Sequence, residues 1–202
     1  MNSRKKIGVL SLQGAFAEHI ASLQKLGVEA LAIRLPQDLE GLDGLIIPGG
    51  ESTVISQLML SYGLMEVIRE LAQDGSPIFG TCAGMILLAK SALDLDIETI
   101  GAMDIKVRRN AFGRQVDSFE TVLSVPVLGE APFPAVFIRA PIIVEIDSGV
   151  EILASLPDGT PVAARQGNLL VSAFHPELTS DLRFHAYFLD IVSRRAYSQR
   201  KN

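Results

Sequence analysis

The stretch Pro77-Ile78-Phe79-Gly80-Thr81-Cys82-Ala83-Gly84-Met85-Ile86-Leu87-Leu88-Ala89 decides the fold. Pro77-Ile78-Phe79 reads as a short buried strand, and Ala83 with Met85 to Ala89 is good helix material. Between the two, glycines 80 and 84 frame the chain's only cysteine. This predicts a strand-to-helix elbow whose glycines permit a turn too tight for side chains. Cys82 then projects from the strand end, and the first free N–H groups of the helix face whatever its sulfur attacks. A lone cysteine is more often an inert, buried small hydrophobe. The glycine frame and the helix behind it turn the reading toward a nucleophile.

Outward from the elbow, the first half of the chain alternates strand-like and helix-like segments. A strand at Ile7 to Leu12 precedes a helix with Phe16, Ile20, Leu23 and Leu26 at helical spacing, ended by Gly27. Strands at Glu29 to Ile33 and Gly44 to Ile47 follow, then helical sequence from about Thr53 to Ala72. Repeated strand, helix, strand predicts a parallel sheet with right-handed crossovers. From Met103 to Ala173 the texture changes to short β-rich segments, expected as antiparallel additions to that sheet. A last helix, about Asp181 to Arg195, turns Leu182, Phe184, Tyr187, Phe188, Ile191 and Val192 inward. The expected fold class is α/β, a flavodoxin-like or Rossmann-like, mostly parallel sheet. With no linker, repeat or low-complexity tract in view, residues 1–202 read as a single domain.

A cysteine nucleophile needs a base, and the base needs a group to orient it. His175-Pro176-Glu177 offers both, just after the strand-like Leu169 to Phe174. Active-site residues of open α/β sheets sit at such strand ends. Glu177 can hold the imidazole in one tautomer and stabilise the imidazolium, the third role of a triad. Alone, the tripeptide is equally a turn into the final helix. A further glycine-rich turn, Pro48-Gly49-Gly50-Glu51-Ser52, follows the Leu45-Ile46-Ile47 strand. An N–H at Gly50 could serve as a second oxyanion donor beside that of Ala83. The plainer reading is a strand-to-helix turn with Ser52 as N-cap. It lacks the Gly-Lys-Ser/Thr ending of a nucleotide loop.

Composition limits the setting. With 18 Lys and Arg against 23 Asp and Glu, and a net charge of −5 over 202 residues, the chain lacks the basic footprint of a nucleic-acid binder. One cysteine makes no internal disulfide, which points to a reducing compartment. Arg4-Lys5-Lys6 and the apolar run after it imitate a signal peptide, but Gln13 ends the run too soon, and no stretch approaches a membrane span. A cytoplasmic protein that engages neither membrane nor nucleic acid is expected.

Six segments in order then carry a resemblance: Leu12-Gln13-Gly14-Ala15, Pro48 to Thr53, Gly80 to Gly84, Arg109-Asn110-Ala111-Phe112-Gly113-Arg114-Gln115, Phe137-Ile138-Arg139-Ala140-Pro141 and Phe174 to Leu178. Over almost its whole length the chain closely resembles the class I glutamine amidotransferases. Within them it resembles the SNO family, the glutaminase subunits of pyridoxal 5′-phosphate synthase. The fourth and fifth segments point to that subfamily.

The resemblance implies that Cys82 attacks the side-chain amide of L-glutamine, with His175 passing protons and Glu177 orienting it. Gly50 and Ala83 would form the oxyanion hole. Gly50, Glu51, Ser52, Arg109, Ile138 and Arg139 would hold the amino-acid end of the substrate. That assignment suits the chemistry, because free glutamine presents an α-carboxylate and an α-ammonium, which call for a guanidinium and an acceptor. The implied partner is the (β/α)₈-barrel synthase subunit, which takes up ammonia through a protected path. No metal or bound cofactor is implied for this chain, since the pyridoxal phosphate would be made in the partner.

Other readings stay open on the residues alone. Arg109 and Arg139 could be solvated surface charges, and Arg108 competes with Arg109 for the same role. Gln13 at a strand end could face the site or a partner subunit. His19 and His185, in predicted helices, are expected at the surface or an interface. A related Cys-His γ-glutamyl hydrolase would use the same elbow and base, and a redox-sensing interaction module would need only the thiol.

Overall fold

The computed structural model of the chain describes residues 4–109 and 118–199. Asn110 to Gln115 of the fourth matched segment therefore lie outside the described residues. In chain order, β1 (Lys6–Leu10), α1 (Phe16–Lys25), β2 (Glu29–Ile33), β3 (Gly44–Ile47), α2 (Ser52–Ser61), α3 (Leu64–Gln73), β4 (Ile78–Thr81) and α4 (Ala83–Leu88) make the first half. The second half holds β5 (Ala89–Leu93), β6 (Met103–Arg108), β7 (Ser118–Leu123), β8 (Phe133–Ile138), β9 (Ile142–Ile146), β10 (Glu151–Ser155), β11 (Pro161–Gln166), β12 (Leu169–Ser172) and α5 (Arg183–Gln199).

The main sheet has seven strands in the order β10-β11-β12-β4-β3-β1-β2. From β12 to β2 all neighbours pair in parallel, and β11 and β10 extend the sheet through antiparallel pairs. The central strands β3, β4 and β12 are buried along their whole length. That is why they read as unbroken apolar runs rather than alternating ones. Only part of the expected antiparallel addition joins this sheet. β5, β6 and β9 form a separate three-stranded sheet, and β7 and β8 a separate hairpin pair. The alternation that predicts each strand does not say which sheet it joins.

Strand alternation places the covering helices. On β4, Phe79 faces one side, where its ring meets Phe184, His185 and Phe188 of α5 and His19 of α1. Gly80 faces the other side, where a Cβ would collide with the Gly84 carbonyl and stand 2.8 Å from Leu88 of α4. Helices thus cover both faces of the sheet. The helical sequence expected from about Thr53 to Ala72 forms two helices, α2 and α3, separated at Gly63, whose φ of 70° belongs to glycine. Among the described residues no helix is long and apolar enough to cross a membrane.

Candidate active site

Four loops leave the carboxyl ends of adjacent strands β1, β3, β4 and β12 and converge, beside the point where the chain from β1 first runs outward to β2 and then returns to β3. Open α/β sheets place their ligands at this kind of crevice. The loops bring Gln13, Gly50, Glu51, Ser52, Cys82, Ala83 and His175 to one pocket of about 170 Å³. The smaller sheets supply its remaining wall, Arg109 at the end of β6 and Ile138 with Arg139 at the end of β8.

Cys82 occupies the elbow with φ 49° and ψ −103°, outside the regions a side-chain-bearing residue normally adopts. The two framing glycines have no positive φ, so the strain falls on the cysteine itself. Their role is proximity: at Gly84 a Cβ would collide with the carbonyl of Ile47 on β3. The elbow is held by the Cys82 N–H, which donates to the Ser172 carbonyl at 2.8 Å, and by the N–H groups of Met85 and Ile86, which donate to the Cys82 carbonyl. The sulfur lies 3.9 Å from the Ile138 carbonyl oxygen.

His175 is buried, and its backbone N–H donates to Val136 at 2.8 Å. Its Nδ1 lies 2.7 Å from Glu177 Oε1, leaving Nε2 free to turn toward the pocket. Burial alone opposes a charged imidazole. The hydrogen bonds to Cys82 and Glu177 and the charges of both outweigh it, pushing the His175 pKa up to about 10. Burial likewise opposes the Glu177 carboxylate, but the approach of the His19 ring and the hydrogen bond and charge of His175 hold its pKa below the usual glutamate value.

The glycine turn after β3 is latched from β1. Gln13 Oε1 accepts the Glu51 N–H at 2.8 Å, and the Ala15 N–H donates to the Gly49 carbonyl at 3.0 Å. Gln13 therefore both lines the pocket and fixes the loop. Among the described residues the N–H groups of Gly50 and Ala83 are taken by no hydrogen bond. Ser52, an N-cap on the plainer reading, is instead the first residue of α2, and its buried hydroxyl has no partner among the described residues.

The two neighbouring arginines separate. Arg109 Nη2 donates to Glu51 Oε2 at 2.7 Å in the pocket wall, while Arg108 turns to Asp94 at 3.7 Å on the exposed side. The other Glu51 oxygen, Oε1, is buried without a partner among the described residues. Arg139 borders the pocket with φ 43° and makes no ion pair among the described residues. Also among the described residues, no cluster of three or more His, Cys, Asp or Glu is arranged to hold a metal ion.

His19 and His185 are not at the surface. Both are wholly buried behind the triad, His19 Nδ1 lying 2.9 Å from His185 Nε2. The signal was present in the sequence, since His19 shares the helical stripe of Phe16, Ile20 and Leu23, and His185 that of Phe184 and Phe188. Phe16 and Ile20 are in fact less buried than His19.

Residues 9–194 match the model of the SNO glutamine amidotransferase family. The chain is 59% identical over 187 residues to the pyridoxal 5′-phosphate synthase subunit PdxT of Moorella thermoacetica, covering 93% of this chain and 99% of the relative. It is 61% identical over 188 residues to the subunit of the same name from Herpetosiphon aurantiacus, covering 92% and 99%. Among solved structures, a glutamine amidotransferase superposes with a TM-score of 0.88 at 49% identity, over 93% of this chain and 98% of that one. PurLQS from Thermotoga maritima shares the fold alone, with a TM-score of 0.71 at 16% identity over 93% and 98%. An elbow cysteine facing a strand-end histidine on this sheet is thus set in a glutamine amidotransferase fold. The chain belongs to the SNO glutamine amidotransferase family.

Proposed function

We propose that the chain, as one glutaminase domain, hydrolyses L-glutamine to glutamate and ammonia, and that Cys82, His175 and Glu177 perform the reaction as a triad. The observation that carries this reading is the alignment of three strand-end groups: Cys82 in a strained elbow, His175 in the same pocket, and Glu177 2.7 Å behind the imidazole.

Glutamine enters with its amino-acid end toward Arg109, Arg139, Ile138 and Ser52, and its ammonium toward the unpartnered Glu51 Oε1. The sulfur of Cys82, having given its proton to His175, attacks the δ-carbonyl carbon, and the oxygen that gains charge turns to the free N–H groups of Ala83 and Gly50. With its pKa raised to about 10, His175 holds a proton at neutral pH. It passes that proton to the departing nitrogen, so that ammonia leaves and a glutamyl thioester remains. Water then attacks the thioester carbon, His175 takes the water's proton, and the C–S bond breaks to release glutamate. Glu177 keeps Nδ1 protonated and Nε2 aimed at the reacting atoms throughout.

The identity to subunits named pyridoxal 5′-phosphate synthase subunit PdxT supports a place in vitamin B6 biosynthesis. In that role the chain works in the cytoplasm beside a (β/α)₈-barrel synthase subunit that consumes the ammonia before water protonates it. A pocket of about 170 Å³ is small against the roughly 300–1,000 Å³ of sites for larger ligands, and it suits a single amino acid better than a γ-glutamyl peptide. The test is glutamate release from L-glutamine by the purified chain, alone and with the synthase subunit, beside Cys82→Ala. Turnover stimulated by the partner and abolished by the substitution supports the reading. Absence of turnover in a demonstrated complex overturns it.

A further inference from the structure

Behind the triad lies a buried polar chain that the reaction as described does not use. Glu177 has a side chain with no exposure, and only its Oε1 is satisfied, by His175. Its Oε2 has no hydrogen-bond partner among the described residues, and His19 Nε2 approaches it to 3.3 Å. A carboxylate oxygen buried without a donor is costly, and the expense is avoided only if that nitrogen carries a proton. The 3.3 Å approach is oblique because the same nitrogen also faces Thr81 Oγ1 at 3.1 Å. Thr81 Oγ1 in turn accepts the N–H of Gly49, in the glycine turn that lines the pocket.

One tautomer arrangement satisfies every contact in this chain. His185 Nε2–H donates to His19 Nδ1 at 2.9 Å, His19 Nε2–H is directed between Glu177 Oε2 and Thr81 Oγ1, and both rings are neutral. The end of this polar chain, His185 Nδ1, is then a bare acceptor, and it has no partner among the described residues. A partnerless buried acceptor is tolerated better than a partnerless N–H. Neutral rings agree with the burial, which lowers the pKa of His19 and pushes that of His185 down to about 3.

We propose that His19, backed by His185, is a positioning residue of the glutaminase centre: its Nε2–H, bonded to Thr81 Oγ1 and 3.3 Å from Glu177 Oε2, steadies the Glu177 carboxylate and, through Thr81, ties the triad to the oxyanion turn at Gly49. This rests on the reading of Cys82, His175 and Glu177 as the triad. His19 touches no substrate and acts only through Glu177 and Thr81. The titratable groups around it are Glu177 and His175 from the segment after β12, His185 from α5 and Glu18 from its own helix.

The test uses the full chain in complex with its synthase subunit and follows glutamate release. His19→Leu fills the space without a donor, whereas His19→Gln restores an N–H near the Nε2 position. The expected result for His19→Leu is a fall in kcat of about ten- to a hundredfold with KM nearly unchanged. The acid limb of its pH profile moves upward, because an anion that has lost a donor protonates at higher pH. His19→Gln recovers most of the loss. A folded His19→Leu with the parent kcat and acid limb overturns the proposal, and it does so for the proposal alone if His175→Asn is inactive in the same assay. Activity retained in His175→Asn instead breaks the triad reading beneath it.

Should His19→Leu fail to fold, nitrogen NMR of the imidazoles in the parent protein decides. With only three histidines in the chain the signals are assignable. A His19 ring protonated at Nε2 alone and not titrating from about pH 5.5 to 8.5 is expected. Protonation at Nδ1, or titration in that range, contradicts the proposal.

Discussion

Gly49 lies against the imidazole of His175 with no space for a side chain. A Cβ there would stand 3.0 Å from Nδ1, closer still to Cε1, and 3.2 Å from the Cβ of Cys82. The turn after β3 is thus one wall of the slot that holds the base, and the glycine is required by proximity rather than by φ. The imidazole is held at Nδ1 by Glu177, so it cannot retreat without straining that bond. Gly49→Ala is expected to leave a folded protein whose kcat for glutamate release falls about a hundredfold, the usual cost of a misplacement near 1 Å. Parent-like kcat in this variant would show that the base has more freedom than the geometry gives it.

Glu51 and Arg109 form an ion pair in the pocket wall, with Glu51 Oε1 left over. If they receive the ammonium and carboxylate of glutamine, Glu51→Gln and Arg109→Ala should raise KM about ten- to a hundredfold and lower kcat far less. Arg108→Ala, whose side chain points to Asp94, should change neither by more than about twofold. Equal effects from the two arginine substitutions would mean that the wall is not a substrate site.

Cys82 carries backbone strain in addition to the nucleophile. At φ 49° and ψ −103° a glycine rests without penalty, whereas alanine keeps the clash. Cys82→Gly should be more stable than Cys82→Ala by about 1 kcal/mol, after allowing for the extra entropy of the unfolded glycine chain. Urea unfolding of the two inactive variants measures this directly, and the reverse order would show that the elbow is unstrained.

Stability should pass through a maximum near pH 6.5. His175 is raised from 6.5 to about 10, so the folded protein holds a proton that the unfolded chain releases. The stability this provides is complete below pH 6.5 and is lost as pH rises toward 10. His19 and His185 are lowered from 6.5, so below that pH the unfolded chain takes up protons the folded one refuses, and stability falls with acid. The lowered carboxyl of Glu177 adds to that loss near and below pH 4.5. Each group contributes at most about 1.4 kcal/mol per pH unit. Melting temperatures from pH 5 to 9.5 should trace this dome, and His185→Leu should flatten its acid side. A profile that is level from pH 5 to 6.5 would contradict the buried neutral pair.

The parallel core and the elbow were legible in the sequence because their signals are local. Leu45-Ile46-Ile47 and Ile78-Phe79 are continuous apolar runs, and glycines 80 and 84 flank the cysteine within five residues. Cys82 and His175, 93 positions apart, could be paired from their shared setting at strand ends. The later strands were legible one by one, but not their division into three sheets, because pairing partners are chosen by packing over long sequence separations. The difference between Arg108 and Arg109 was beyond sequence, since strand alternation turns neighbours to opposite faces and gives no absolute direction. His19 and His185, expected at the surface or an interface as residues of helices, are wholly buried. Their positions on apolar helical stripes carried the better information.

The central claim is that Cys82 is acylated by glutamine with His175 as its proton carrier. Its most direct test is an acid quench of the complex during turnover, followed by peptide mapping of this chain. The account predicts one glutamyl group on the peptide that contains Cys82, absent in Cys82→Ala and in His175→Asn, and discharged as glutamate when turnover is allowed to finish. Glutamate release at the parent rate from Cys82→Ala, or a glutamyl group on any other residue, would contradict it.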